Sequence, residues 1–548
     1  MGFIFNNLFR KKSVSAITDA EAHDGGLHRV LTVRDLTFFG IAAIIGGGTF
    51  SAIGNACFAG GPGVIFLYII CAIACGFTAM CYAEFASRVP ASGSAYTYAY
   101  VTFGELFAWI IGWALLMEYS IGNIYIAFSW SGYFTNLVPG IPEWLTINYT
   151  AAHQAFLDAK EGSEGMLAWT NAPEIAGLKI IFDLPAVLIN LIITALVFVG
   201  TKESRNISNL MVMIKLLIIV LVIIVGCFHV DIDNWTPFMP NGFNGVMAGV
   251  SAVFFAYIGF DAVSTLAEES KNPQRDLPRG MIYSLVICTV VYIILSLVLT
   301  GMVSYELLGV SDPLAEIFKL KGIKWMLFIV SIAAVVAMTS VLLVFQMGQP
   351  RIWMSMSRDG LLPKKFSSIH PKFKTPGFAT IVTGLVVGIP IFFTDENFVL
   401  DFTSIGTLFA FVLVCGGVLI LPRNTEAKEK GKFKMPYVNA KWIIPIITVL
   451  SFVGIYIQYP NSIYSDDANT AYNFPMIIFY LFWIVIAVMT FVKKYSLIPV
   501  LGLLSCCYLL TGMGWTNWMM FSIWLVIGLV VYLLYGYKKS KLNIVMHK

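Results

Sequence analysis

Three charged residues stand inside long apolar runs, where they could act on an ion or a polar substrate. They are Glu118, Lys215 and Asp261. A charged side chain is costly at the centre of a bilayer, so such residues mark substrate pathways, ion pathways or proton relays unless they pair with other polar groups. Lys215 has a further alternative, because a long side chain can extend its ammonium group to the membrane surface. These positions predict a polar pathway through a membrane, with a structural role as the alternative.

Two apolar stretches that must position these charges are interrupted by glycine. Residues 39–59 hold three consecutive glycines at 46–48, and residues 249–269 hold Gly259 shortly before Asp261. Each glycine costs roughly 1 kcal/mol in a helix relative to alanine. We therefore predict two helices broken at mid-membrane, with their unpaired backbone groups facing a protein-lined cavity. The alternative is that the glycines only let neighbouring helices approach closely.

An enzyme would need nucleophiles or metal ligands clustered near one membrane face. The six histidines lie in tails, in loops or at the end of an apolar run, without metal-ligand spacing. The nine cysteines lie within or at the ends of apolar runs, as small buried hydrophobes do, rather than in a disulfide framework. We predict no enzyme activity, no cofactor, no metal and no nucleic-acid partner.

The composition is that of a protein embedded in a bilayer. The chain of 548 residues is 58% hydrophobic and 12% charged, and its mean hydropathy is +0.80. Soluble proteins carry about 25% charged residues, so we predict an all-α polytopic membrane protein. Fourteen apolar runs are predicted as spans, near residues 36–60, 64–84, 106–135, 183–200, 208–229, 246–267, 280–302, 325–350, 377–394, 399–421, 442–458, 474–492, 496–513 and 517–536.

The positive charges predict the orientation. Lysine and arginine collect near both chain ends and in the loops at 350–376 and 423–441, whereas the loop at 303–324 is a basic exception. Positive residues favour the cytoplasm, so we predict both termini inside a plasma or inner membrane. The predicted units are a cytoplasmic tail (1–35), a first repeat of spans 1–5 (36–230), a second repeat of spans 6–10 (245–422), accessory spans 11–14 (442–537) and a cytoplasmic tail (538–548). Five spans per repeat would place the second copy upside down.

Four segments together carry a resemblance to a known family. They are GIAAIIGGGTFSAIG (40–54), MIKLLIIVL (213–221), FFAYIGFDAVSTLAEESKNPQRDLPRG (254–280) and QPRIWMSMSRDGLLPKKFSSIHPKFKTP (349–376). The chain resembles the amino acid–polyamine–organocation superfamily and, within it, the cationic amino acid transporter family. This resemblance implies a LeuT-like fold, a 5+5 inverted repeat with broken helices 1 and 6, and one amino acid held between those helices.

The resemblance also implies the binding residues. A substrate carboxylate would meet helix N–H groups at the first break, and its ammonium group would meet carbonyl oxygens at the second. The family's usual Gly-Thr-Gly is Gly-Gly-Gly here, which predicts a larger pocket floor. The implied substrate contacts are Ile44, Ile45, Gly46, Gly47, Gly48, Phe255, Ala256, Tyr257, Gly259, Asp261, Glu118 and Met338.

Lys215 is the implied coupling residue. It resembles the lysine that stands, in proton-coupled relatives, where sodium-coupled relatives hold a cation between helices 1 and 8. Such an ammonium group could replace sodium and could load and release a proton. Thr339 and Ser340 resemble the hydroxyl pair of a sodium site, so sodium stays open, but H+ is the predicted coupling ion.

Other residues have predicted roles at the pocket and at the membrane face. Met338 resembles the position that limits side-chain size, although it could equally face lipid or the core. Arg34 and Asp359 could form an inner gate by likeness to the wider fold, or pair without gating. Glu268 and Glu269 are expected at a solvated helix end.

We therefore predict a secondary active transporter that carries L-amino acids inward by proton symport and alternating access, with neutral side chains slightly favoured. The same-class alternatives are a cationic amino acid transporter and an amino acid exchanger. A remote alternative is a nutrient sensor that does not transport. The predicted partners are the amino acid and the lipid bilayer, and the accessory spans leave room for a small single-span membrane protein.

Overall fold

The computed structural model describes residues 9–12, 29–89, 93–138, 140–158, 163–175, 177–310, 312–394, 396–421, 433–458, 474–513 and 515–542. This part of the chain is nearly all helical, which confirms the predicted class. It contains eight helical stretches long and apolar enough to cross a membrane, and four shorter apolar helices.

The longer α-helices coincide with predicted apolar runs, whereas several short ones lie outside them. Those of the first half are α1 (Val33–Ile44), α2 (Ile53–Gly60), α3 (Val64–Arg88), α4 (Ala95–Thr102), α5 (Glu105–Leu137), α6 (Tyr149–Leu157), α7 (Glu164–Asn171), α8 (Leu184–Val199) and α9 (Thr201–Cys227). Those of the second half are α10 (Gly242–Ala248), α11 (Val250–Phe255), α12 (Pro273–Met302), α13 (Pro313–Leu320), α14 (Lys324–Arg358), α15 (Gly377–Gly388), α16 (Glu396–Ile420), α17 (Ile443–Gln458), α18 (Phe474–Lys493), α19 (Leu497–Thr511), α20 (Trp515–Val531) and α21 (Tyr537–Lys539).

Shorter helical turns connect these elements. The 3₁₀ turns are Gly61–Gly63, Glu143–Leu145, Ile232–Trp235, Phe260–Glu269, Tyr305–Leu307, Lys364–Ser367 and Pro390–Phe392, and the π turns are Gly48–Ala52 and Tyr532–Gly536.

The helix at residues 33–60 changes its geometry at the glycine run. α1 ends at Ile44, and Ile45 is extended, with φ −81° and ψ 99°. A π turn then covers Gly48–Ala52 before α2 begins at Ile53. Three glycines in succession weaken the α-helix, because each loses more conformational entropy on folding than a residue with a side chain. The chain can therefore leave the α-helical conformation at this point.

The second interrupted stretch changes its geometry at Gly259. α11 ends at Phe255, and a turn leads to Gly259, whose φ of +116° lies in the left-handed region that favours glycine. The chain continues as a 3₁₀ helix from Phe260 to Glu269. This tighter helix replaces the simple α-helix that the apolar pattern alone would favour.

The two interrupted stretches lie in the core of the helix bundle. α12 packs along α1 and α3, while α14 packs along α5, α9 and α1. The last helices pack around the outside of α16 and α5, through α19 and α20. Most large side chains on α17 and α18 are exposed apolar groups, as expected for a surface that faces lipid.

The long connection between α5 and α8 folds into a small unit. Its conformation was not predicted from the sequence. Helices α6 and α7 pack through Ala152 and Ala168, beside a two-stranded antiparallel hairpin of β1 (Glu174–Ile175) and β2 (Leu178–Lys179). The Thr150 hydroxyl donates to the carbonyl oxygen of Phe393 at 2.8 Å, which ties the unit to the segment after the 3₁₀ turn that follows α15. Apart from two isolated β-bridges, Leu31 with Ser270 and Asn439 with Ser496, this hairpin is the only β-structure in the described residues.

Candidate functional site

The two chain breaks contact each other directly. A Cβ added at Gly48 would lie 2.4 Å from the Cα of Ala256, which belongs to the turn of the second break. A Cβ added at Gly259 would lie 2.7 Å from the Cβ of Ala43, at the end of α1. Only glycine permits these approaches, because the neighbouring atoms belong largely to backbone and to short side chains. The structure therefore brings the predicted residues at positions 44–48 and 255–259 together.

The other two glycines are covered by neighbouring helices. A Cβ at Gly46 would lie 2.2 Å from Cγ2 of Val341 on α14. A Cβ at Gly47 would lie 2.5 Å from Cδ1 of Ile126 on α5, with the Tyr125 ring 3.1 Å away. Tyr125 and Ile126 therefore occupy the space beside Gly47, and the larger pocket floor stays a prediction.

Tyr292 on α12 joins the two breaks through one hydroxyl group. Its oxygen lies 3.0 Å from the carbonyl oxygen of Ile44 and 2.8 Å from that of Ala256, and its one proton can be donated to either of them. It also accepts a hydrogen bond from the Thr49 hydroxyl at 3.0 Å. A single buried hydroxyl group thus contacts both breaks and depends on their relative position. Tyr292 was not predicted from the sequence, where its only signal is a tyrosine within an apolar span.

The ammonium group of Lys215 lies at the end of α1. Its Nζ donates to the carbonyl oxygens of Ala42 at 3.1 Å and Ile45 at 2.6 Å, and to the Ser340 hydroxyl on α14 at 2.9 Å. The side chain is fully buried, so it does not extend to the membrane surface. Three acceptors match the three donors of an ammonium group, and this geometry fits a protonated lysine in place of a bound cation.

The two hydroxyl residues after Met338 face different partners. Ser340 contacts Lys215, whereas Thr339 accepts a hydrogen bond from the indole of Trp130 at 2.9 Å. The hydroxyl pair expected of a sodium site is therefore divided in this conformation, and Lys215 occupies the Ser340 side.

Glu118 on α5 and Asp261 are both buried. Within the described residues, neither oxygen of Asp261 forms a well-aligned hydrogen bond, although backbone N–H groups of Gly259 and Ala262 lie near it. Oε2 of Glu118 likewise forms none, while Thr407 contacts the Glu118 side chain. Buried carboxylates without full hydrogen bonding are costly, so Glu118 and Asp261 stay the predicted pathway residues.

An aromatic pair closes over the first break. The rings of Phe255 and Tyr125 meet edge to face with centroids 4.8 Å apart, and the Tyr125 hydroxyl lies 3.3 Å from that of Ser51. Phe255 was predicted from the sequence but Tyr125 was not, because a tyrosine in a long apolar helix gives no distinct signal. Tyr257 donates to the carbonyl oxygen of Tyr68 at 3.0 Å and so faces α3.

Met338 is fully buried, which removes the lipid-facing alternative. It precedes Val341 by three residues on α14, so the two share a face of that helix. Because Val341 contacts Gly46, this face points toward the first break.

The predicted gate pair is not formed. Asp359 accepts from the ammonium group of Lys12 at 2.7 Å and from the Tyr96 hydroxyl at 2.8 Å. Arg34 is exposed and lies over the ring of Phe38, 5.2 Å from its centroid. The physical reason is that the segment at residues 9–12 packs against the end of α14, where Lys12 provides the positive charge beside Asp359.

The expected solvated helix end at Glu268 and Glu269 is wrong. Glu269 is buried and forms an ion pair with Arg351, which lies within α14 rather than in the predicted loop. Glu268 pairs with Arg358 at 3.0 Å. Backbone hydrogen bonds from Val30 and Leu31 to the Glu269 carbonyl oxygen, at 2.9 and 3.0 Å, hold the start of α1 to the same segment.

Comparisons with known proteins find relatives over nearly the whole chain. A family model described as "Amino acid permease" matches residues 31–489, and one described as "C-terminus of AA_permease" matches residues 495–540. The chain is 37% identical to the branched-chain amino acid permease BcaP of Bacillus subtilis (strain 168), over 98% of this chain and 99% of the relative. It is also 37% identical to the methylthioribose transporter of the same organism, over 98% and 100%. Identity to the vacuolar cationic amino acid transporter 2 of Arabidopsis thaliana is 30%, over 98% and 93%.

Proposed function

The chain belongs to the amino acid permease family, a family of transporters rather than enzymes, and we propose that it carries L-amino acids inward together with protons. The observation that carries this proposal is Lys215, whose ammonium group joins two carbonyl oxygens of the first break to the Ser340 hydroxyl of α14. A cation bound between these elements would supply the same single positive charge. Loss and return of a proton at Nζ would remove and restore that charge.

The hydrogen-bond count explains how a proton could control the site. A protonated lysine has three donors, which satisfy Ala42, Ile45 and Ser340 together. A neutral amine has two donors and a lone pair, so one of these acceptors loses its partner. The attachment of α14 to the first break is then weaker, and the site can open. Proton binding would in this way favour the closed arrangement described here.

The substrate would lie between the two breaks. Its carboxylate would meet N–H groups near Gly47, and its ammonium group would meet carbonyl oxygens near Phe255 and Ala256. Both breaks are buried in this structure, so the chain is closed around them. Movement of helices would have to open the site to one membrane face at a time, which is alternating access.

The wider architecture is part of the same proposal. We propose a LeuT-like 5+5 inverted repeat followed by accessory spans, with fourteen crossings in all. The two repeats would begin at α1 and at α10. Both chain ends would lie in the cytoplasm of a cell whose plasma membrane holds the protein, and a small single-span partner stays a prediction.

Neutral side chains are the proposed substrate class. The likeness to a branched-chain amino acid permease favours them, and Met338 and Val341 present an apolar face toward the first break. The likeness to a methylthioribose transporter extends the test panel to an uncharged compound that is not an amino acid. Replacing Met338 with alanine should raise uptake of larger side chains, such as leucine, relative to alanine.

A second candidate is transport or exchange of cationic amino acids. Glu118 and Asp261 favour it, because two buried carboxylates that lack full hydrogen bonding would attract a positive side chain. The likeness to cationic amino acid transporters points the same way. The same carboxylates could alternatively hold the coupled proton.

The experiment is uptake of radiolabelled alanine into liposomes that contain the purified chain, with and without an inward pH gradient. Competition by neutral amino acids, arginine, lysine and methylthioribose identifies the class, and preloaded vesicles test exchange. A sodium gradient at constant pH tests the other cation. A protein that binds substrate without accumulating it would be a sensor.

The coupling role is tested with Lys215→Met, which keeps an unbranched side chain of similar shape and removes the charge. We expect this variant to lose acceleration by the pH gradient, because Nζ no longer exchanges a proton. The matched control is Lys319→Met, since Lys319 is exposed and pairs only with Glu316 in the described residues. Gradient-driven accumulation by Lys215→Met equal to that of the control would exclude Lys215 as the coupling residue.

A further inference from the structure

A buried carboxylate joins the two ends of the chain. Glu105, the first residue of α5, is fully buried and accepts from the guanidinium group of Arg10 at 3.0 Å. It also accepts from the hydroxyl groups of Tyr100 at 2.8 Å and Tyr532 at 2.9 Å, and from that of Ser540. Arg10 belongs to the amino-terminal segment, Tyr532 and Ser540 belong to the carboxyl-terminal end, and Tyr100 lies on the neighbouring α4, so one side chain joins both chain ends to the start of α5.

Further contacts tie both chain ends to the end of α14. Lys12 donates to one carboxylate oxygen of Asp359 at 2.7 Å, and the backbone N–H of Lys541 donates to the Asp359 carbonyl oxygen at 3.0 Å. The guanidinium carbon of Arg10 lies 5.6 Å from the ring centroid of Tyr537, so the ends also meet directly.

α14 links this cluster to the site. The helix that ends beside Asp359 also carries Ser340, which contacts Lys215, and Val341, which covers Gly46. Contacts that hold the end of α14 in place therefore restrain a helix that must move if the site is to open. Elements with two discrete packings transmit such restraints over long distances.

We infer that Glu105, Asp359, residues 9–12 and residues 540–541 form a clasp between the chain ends. The clasp closes the face of the protein at which α14 ends during transport. Glu105 acts as a positioning residue that holds the two ends on α5, and release of the clasp allows α14 to move. The part of this inference that concerns transport rests on the proposed function. The coupling between the two chain ends does not.

The clasp should be cooperative, because its donors share one buried carboxylate. Removal of Arg10 leaves the Glu105 charge without its positive partner, and a buried unpaired charge draws in water or moves to the surface. The carboxylate of Glu105 is then no longer held where the hydroxyl groups of Tyr532 and Ser540 can donate to it. A change at the amino-terminal end is therefore expected to loosen the carboxyl-terminal end.

The test is hydrogen–deuterium exchange of the purified full chain with Arg10→Gln, compared with Lys11→Gln. Lys11 is the neighbouring residue with the same charge, but it is exposed. We expect Arg10→Gln to speed exchange of backbone amides at residues 537–542 by about tenfold, as expected for loss of a hydrogen bond to a charged group. Lys11→Gln should leave them unchanged. Exchange that rises only at residues 9–12, or equally in both variants, would overturn the clasp.

A second variant, Ser540→Ala, covers the case that Arg10→Gln does not fold. It removes one donor and should speed exchange of the amides at residues 9–12. In transport, Ser540→Ala should raise KM for external substrate severalfold, since the closed state is less populated, with Lys11→Gln unchanged. An unaltered KM together with altered exchange would overturn the role in transport and leave the coupling of the chain ends. Absence of transport by the unmodified chain would count against the proposed function alone.

Discussion

Replacement of Tyr292 by phenylalanine tests whether the two breaks are held together by one hydroxyl group. The change keeps the ring and removes the oxygen that contacts Ile44, Ala256 and Thr49 at 2.8 to 3.0 Å. The hydroxyl carries one proton, so it donates one hydrogen bond at a time and accepts one from Thr49. Two net hydrogen bonds at about 0.5–1.5 kcal/mol each give a loss of about 1–3 kcal/mol for the closed arrangement.

This loss corresponds to a fall in the population of the closed arrangement by a factor of roughly 5 to 150. The matched control is Tyr68→Phe. Tyr68 is also fully buried, and its ring centroid lies 5.5 Å from that of Tyr292, but its hydroxyl forms no hydrogen bond within the described residues. Removing the Tyr68 hydroxyl should therefore be neutral or slightly stabilising.

The assay combines alanine uptake kinetics in liposomes with the midpoint of thermal unfolding in detergent. We expect Tyr292→Phe to lower the unfolding midpoint and to raise KM, and Tyr68→Phe to change neither quantity. Equal behaviour of the two variants would refute the view that the Tyr292 hydroxyl couples the breaks. A lower midpoint with unchanged kinetics would limit it to a structural role.

Two further predictions concern packing and charge. Gly48→Ala should abolish uptake, since its Cβ would overlap the backbone of Ala256. The control is Gly76→Ala, whose added Cβ would meet no neighbouring heavy atom within 4 Å, so this variant should keep uptake and gain about 0.5–1 kcal/mol of stability. Normal uptake by Gly48→Ala would contradict the observed packing. Glu269→Gln should cost about 3–5 kcal/mol of unfolding free energy by leaving Arg351 unpaired, and the double variant Glu269→Leu with Arg351→Met should recover much of it. Chemical denaturation of the two proteins measures this difference, and a double variant no more stable than the single one would disprove the account.

The site was predictable where its signals are local in sequence. Lys215 and Gly259 stand out because a charge or a flexible residue is costly within an apolar run, whatever surrounds it. The first break was predictable for the same reason, since three glycines in succession weaken a helix without any tertiary contact. Phe255 and Ala256 followed from their place beside the second break.

Partners across the fold were not predictable. The cation that pairs with Asp359 is Lys12 rather than Arg34, because the amino-terminal segment folds back over a distance that no local pattern records. Glu269 lies among charged neighbours in the sequence, yet its partner is Arg351 on another helix. Ion pairs of this kind depend on which helix ends meet.

The sequence by itself determined that this is a polytopic helical membrane protein with two glycine-weakened spans and a lysine within a third. Bilayer thickness and the cost of buried charge act on each segment separately, so composition and spacing are sufficient for those conclusions. Only the tertiary structure decided that Tyr292 joins the breaks, that Tyr125 and Ile126 fill the space beside Gly47, and that both chain ends meet at Glu105. These contacts depend on close packing between helices distant in sequence, and a tyrosine or glutamate looks the same in the sequence whether or not such a partner exists.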